Sequence, residues 1–128
     1  MSWGKIRIDK ADRTFSLYIR TRDDWTCQNP KCNRGFGEGV GNLHNSHYWG
    51  RGRESVRFDP ENCDAICASC HLRWGGDYRE EYTAFKIAQL GQDGYNALKL
   101  RAHQYKKKDR EWEHLRAKAR LEDLKKGT

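Results

Sequence analysis

The sequence predicts a small α+β domain fastened by metal thiolates rather than by a large apolar core, and three observations carry that prediction. Four of the five cysteines fall into two close pairs, Cys27-x4-Cys32 and Cys67-x2-Cys70. Two short stretches with strand character, 43–48 and 62–66, lie among helical patterns. Mean hydropathy is -1.10 and 34% of the residues are charged, which leaves little apolar material in a chain of 128. So polar a chain needs a metal, a partner or long solvated helices to hold one structure.

Trp3, Ile6 and Ile8 suggest a short extended lead-in. A helix follows from Asp9, which can cap it, with Ala11, Phe15, Tyr18, Ile19 and Arg22 along one face. Arg20 and Arg22 near its end suit the helix dipole, and the whole segment reads as a packing helix. Asn29-Pro30 then signals a turn between the first two cysteines, and the glycines from Gly35 to Gly41 mark a loop. Leu43 to Tyr48 is the first strand and Asn62 to Ile66 the second, with a helix opening near Cys67 or Ala68. Gly75-Gly76 ends that helix. Asp77 is positioned to cap another, striped by Tyr78, Tyr82, Phe85 and Ala88, with Gly91 as its stop and 91–94 as a turn. From Tyr95 to about Lys126 the chain favours helix, with a weak seam of Trp112, Leu115 and Ala119.

The formal charge is +7 and the pI near 9.3. Residues 101–128 hold 10 Lys/Arg against 5 acids, so a basic C-terminal extension (101–128) follows a metal-bearing domain (1–100). Such a bias favours a polyanion, most simply nucleic acid, with a merely solvated helix as the alternative. No apolar run is long enough for a membrane span, and the opening MSWGKIRIDK has no secretory h-region. Paired cysteines without a secretory signal point to thiolate ligands in a reducing cytoplasm rather than to disulfides.

Zinc takes four thiolates tetrahedrally at ~2.3 Å, and close pairs on two turns reach one ion with little strain. Cys27, Cys32, Cys67 and Cys70 are thus the expected structural zinc ligands, with buried or redox thiols as the alternative. Cys63 is the odd one, more suited to a small buried strand position and a reserve ligand to Cys67.

Beside this knuckle stand His44 and His47, then Asn62, then His71 directly after Cys-x-x-Cys. That order resembles the HNH (ββα-metal) nucleases. The resemblance implies a zinc-knuckle-stabilised ββα-metal core flanked by helices, with a long basic C-terminal helix. It assigns His47 as the general base, Asn62 as the residue steadying the loop and orienting the base, and His71 as ligand to a catalytic Mg²⁺ or Mn²⁺. The chemistry agrees: a neutral imidazole accepts a proton near pH 7, and a cation offsets charge developing on phosphate. HNH enzymes commonly place Asp or His immediately before the base, whereas here Ser46 stands there. Side chains alternate along a strand, so His44 shares a face with Ser46 and is the better candidate for the second ligand.

The wider run of ADRTFSLYIRTRD, HNSH, VRFDPENC and CASCH plus EEYTAFKIAQLG, over roughly 10–100, resembles the phage lambda NinG/Rap recombination endonucleases. That resemblance implies metal-dependent cutting of branched DNA, of Holliday-junction or D-loop type, during phage recombination. Arg51, Arg53 and Arg57 are the expected phosphate contacts, extended by Lys106, Lys107, Lys108 and Arg110. Trp49 either stacks on an unpaired base or belongs to the core. A two-fold junction would suit a homodimer. The alternatives are an HNH nicking, homing or packaging-associated endonuclease on duplex DNA, and a non-catalytic zinc-ribbon module that binds DNA.

Overall fold

A computed structural model describes residues 7–127. Trp3 and Ile6 of the expected lead-in lie outside the described residues, and Ile8 is exposed and outside any strand. The first helix, α1 (Lys10–Arg22), begins on a reciprocal cap. The Asp9 carboxylate accepts from the Asp12 backbone N–H, and that of Asp12 accepts from the Asp9 N–H, both at 3.0 Å. Ala11, Phe15 and Ile19 form its buried stripe, as their spacing requires. Asp24 and Trp25, both at positive φ, then reverse the chain into the first cysteine loop.

Two five-residue strands, β1 (Leu43–His47) and β2 (Cys63–Cys67), pair antiparallel, with His44 opposite Ile66 and His47 opposite Cys63. Asn62 belongs to the tight turn before β2, so the second strand starts one residue later than expected. Helix α2 (Ala68–Gly75) follows β2 without a linker and ends at Gly76. Together β1, β2 and α2 form a hairpin-plus-helix unit. Its core gathers Leu43, Tyr48, Ala65, Ile66, Trp74 and Tyr82, with Trp74 stacked on Tyr82 at 4.6 Å between ring centroids.

Helix α3 (Arg79–Ala102) departs from expectation in three ways. Tyr78, not Asp77, is its first flanking residue. Gly91, non-helical at φ 75 and ψ 162, breaks the helix where its stop was expected, but the chain resumes as helix without the expected turn over 91–94. The buried face carries Tyr82 and Lys86, while Tyr78 and Ala88 face solvent. Lys86 is fully buried because its Nζ meets the equally buried Asp64 carboxylate of β2 at 2.6 Å.

The long C-terminal helix is broken: residues 103–109 are irregular, and α4 (Arg110–Lys126) starts on an Asp109 cap. Its inner face is Glu113, Ala117 and Leu121, whereas Trp112 and Leu115 of the expected seam are exposed. Ala117 enters the cluster of Ala11, Phe15, Ile19, Phe58 and Cys63, so α4 lies on α1. Thr14 and His114 cross the same interface at 2.9 Å. The basic extension is therefore part of the packed structure, not a free arm. Among the described residues, no helix is long and apolar enough to cross a membrane.

Candidate functional site

The cysteine loop and the start of α2 converge. Cys27 and Cys32 lie on the loop after α1, Cys67 ends β2, and Cys70 stands in the first turn of α2. One sulfur from each of the four lies within 4.8 Å of all the others. Cys32 and Cys67 are 3.9 Å apart at Sγ. That is far beyond a disulfide bond but close to the separation of about 3.8 Å between sulfurs bound tetrahedrally at ~2.3 Å. The donor set fits zinc on this ground. Two N–H groups point at the sulfurs, the Cys67 backbone at Cys27 (3.3 Å) and the Asn29 amide at Cys70 (3.4 Å), as thiolates require. Burial drives the Cys27 thiol up to about 12. Burial acts upward on Cys67 too, but hydrogen bonds from Ser69 and the Cys70 backbone draw it down to about 6. Cys63 is fully buried in the apolar cluster between α1 and α4, away from this group, and burial holds its thiol protonated.

Next to Cys70, on the following residue of α2, the His71 ring faces His44 of β1. Their Nδ1 atoms are 3.0 Å apart, and the rings meet edge-on at 5.2 Å. Two neutral nitrogens at that distance either share one hydrogen or face a common cation. About 3.0 Å also separates two ligands bound cis to an octahedral ion at ~2.1 Å. Burial, then His44 and Arg51, push the His71 pKa below that of a free imidazole, so it is the neutral, ligating form that persists. Imidazole pairs suit Mn²⁺ and its later neighbours better than Mg²⁺, which takes oxygen ligands.

Ser46 is removed from this arrangement. It is buried, and its Oγ is bonded to the Tyr82 hydroxyl at 2.9 Å, so it is no alternative to His44 as a ligand.

His47 sits on the opposite face of β1 from His44, and its Nε2–H donates to the Arg57 carbonyl at 3.0 Å. This bond fixes the tautomer and leaves Nδ1 as the acceptor nitrogen. Burial and the nearby Arg51 charge lower its pKa to about 4. The structure does not bring His47 and His71 onto one cleft: the clefts that His71 lines are shared with His44, not His47. What links the two rings is Arg51, whose charge acts on both.

Asn62 is fully buried and ties the two ends of the β1–β2 loop together. Its Oδ1 accepts from the Trp49 N–H (2.8 Å), and its Nδ2 donates to the Trp49 and Val56 carbonyls (2.9 and 3.1 Å).

Comparison with protein-family models, curated proteins and solved structures returned no match. The reading of this site therefore rests on its own geometry.

The expected phosphate contacts divide. Arg51 lines a cleft with His44 and His71. Arg53 shares a separate groove of about 780 Å³ with Lys106 and Lys107. Arg57 is corrected: it is buried, its Nη2 2.6 Å from the Asp12 carboxylate, and it is not offered to DNA. Arg110 pairs with Asp9 at 2.9 Å and with Glu54 at 2.5 Å, which leaves little of its charge for a backbone. Trp49 packs edge-on against Tyr48 and His103, the core alternative of its two readings.

Sequence reasoning missed the pairs Asp12–Arg57 and Asp64–Lys86, whose members are tens of residues apart with no local pattern between them. It also missed Arg20, which lies in the His44–His71 cleft.

Proposed function

We propose that this chain is a metal-dependent DNA endonuclease of the HNH type. The observation that carries the reading is the meeting of His44 and His71 at 3.0 Å on a hairpin-plus-helix unit, beside a thiolate cluster. In this reading Cys27, Cys32, Cys67 and Cys70 hold a structural zinc, which contributes on the order of 10 kcal/mol to folding. Cys67 and Cys70, sharing an ion with Cys27 and Cys32, would tie the first turn of α2 to the cysteine loop and so hold His71 against β1.

His44 and His71 hold a divalent ion, which when bound supplies positive charge against the phosphate oxygens. His47 accepts the proton of the attacking water at Nδ1, while the Arg57 carbonyl keeps the proton on Nε2. Asn62 acts through the loop: by joining Trp49 to Val56 it holds the segment that supplies that carbonyl. Arg51 grips phosphate between the two histidine faces, and Arg53 with Lys106, Lys107 and Lys108 extends the basic surface.

Branched DNA is the proposed substrate on the strength of the sequence resemblance. Incubating the zinc-loaded protein with a four-way junction and with linear duplex of the same sequence, in Mn²⁺ or Mg²⁺, tests it. Faster cutting of the junction is expected. Equal cutting would make this a duplex endonuclease.

One observation favours a second reading, a zinc-dependent DNA-binding module without catalysis: His47 stands outside the clefts that His71 lines. On that reading the purified protein binds DNA and cuts none with any divalent ion.

A further inference from the structure

Among the described residues only β2 pairs with β1. Beside β1 lies a cleft of about 290 Å³, walled by Ser16 and Arg20 of α1, His44 and Asn45 of β1, Arg51 and His71. Among the described residues no carboxylate lines it.

Among the described residues neither of its guanidinium groups meets a counter-charge. Arg20 gives its Nε–H to the Ser16 carbonyl at 3.2 Å and lies over the Trp25 ring at 4.8 Å, with no ion pair among the described residues. Arg51 makes no ion pair there either, and its Nε is buried without a hydrogen-bond partner. Across the cleft Asn45, itself only 6% exposed, has a buried Oδ1 that meets no donor. Partly buried cations are ordinarily paired, and buried polar atoms ordinarily bonded. Three groups left open in one cleft describe the ligand that would close them. It carries anionic oxygens for two guanidinium forks, and a bound water or hydroxyl for the amide oxygen.

We infer that Arg20 is a phosphate-binding residue, which with Arg51 clamps one phosphodiester of a DNA backbone in the cleft beside β1. The inference rests on the nuclease reading only for the identity of the polyanion. The contact itself requires no cleavage. It also gives α1 a role beyond packing, since Ser16 and Arg20 share a face one turn apart and the backbone of Ser16 aims the guanidinium.

Binding of a fluorescein-labelled four-way junction, measured by anisotropy without added divalent ion over a range of salt, tests the clamp. Arg20→Gln is expected to weaken binding roughly tenfold and to lower the salt slope by about one. Arg13→Gln, an exposed arginine of the same helix, should change neither. If Arg20→Gln loses its zinc or its helical signal, Arg20→Lys carries the test, with a smaller loss expected because the charge stays and the fork goes. Because one clamp acts on one phosphate, the double variant with Arg51→Gln should lose less than the two single losses combined.

Wild-type affinity and slope in the Arg20 variants would overturn the proposal. So would an Arg20-dependent rise in the melting midpoint with inorganic phosphate alone and no effect on DNA, since the cleft would then take free anions. Cleavage with Arg20-independent binding defeats this inference and spares the nuclease. Arg20-dependent binding without cleavage does the opposite.

Discussion

At His47 the question is which nitrogen carries the proton, and the Arg57 carbonyl answers it: only Nε2–H can donate there. Nitrogen-detected NMR should find this ring neutral, in the Nε2–H form, and titrating near 4. The sign for stability follows. The unfolded ring binds a proton below about 6.5 while the folded one does not until about 4, so stability falls as pH drops through that window. Asp12 gives the same direction lower down. Burial raises its carboxyl, but Arg57 and the Asp9 backbone more than offset this, so its pKa is depressed and its contribution, present above the unfolded value, is lost on acidification. Arg57→Ala, which strands the Asp12 charge in a site 3% exposed, should cost about 3–5 kcal/mol in urea unfolding. Asn62→Ala should cost about 1–3 kcal/mol by leaving buried backbone groups of the loop unbonded. The cysteine cluster was legible because thiolate ligand chemistry restricts residue type and spacing. Arg57 was not, because a basic residue in a glycine-bearing loop reads as a phosphate contact until its partner, 45 positions earlier, is in view.

At the scale of the element, periodicity located α1, the hairpin and α2 to within a residue or two, since each carries its own cap or break. It failed where tertiary charge overrode pattern. The buried face of α3 turns on Lys86, which no hydropathy rule would place inside without knowing of Asp64. It placed the break at Gly91 but not the immediate return to helix after it. The φ 75, ψ 162 conformation there is one that only glycine adopts readily, and a Cβ would meet nothing within 4 Å. Gly91→Ala should therefore destabilise by about 1–3 kcal/mol through backbone strain alone, visible as a lower urea midpoint with an unchanged slope. In α4 the apolar residues are few, and its inner face is set by Ala117 and Leu121 fitting α1 rather than by the larger Trp112 and Leu115.

For the whole molecule, a thin core, divided among the described residues into three clusters, is joined by the cysteine loop, the β1–β2 loop and the α1–α4 contact. Removing zinc with a chelator should unfold the hairpin and α2 together, with loss of the tertiary signal of Trp25 and Trp74, both buried in the cluster that holds Cys27 and Cys67. The charge bias of the sequence said nothing of how its cations are arranged. Arg57 and Arg110 turn inward to acids, and Arg20 and Arg51 remain open at the histidine cleft. The account is tested most directly by single-turnover cleavage of a four-way junction in Mn²⁺, wild type against His47→Ala, with zinc content measured on both. The prediction is 5′-phosphate products from the wild type and a loss of at least about a hundredfold in the variant, at equal zinc content and equal DNA affinity. A wild type that cuts with no divalent ion tried, or a variant that cuts at the same rate, would contradict it.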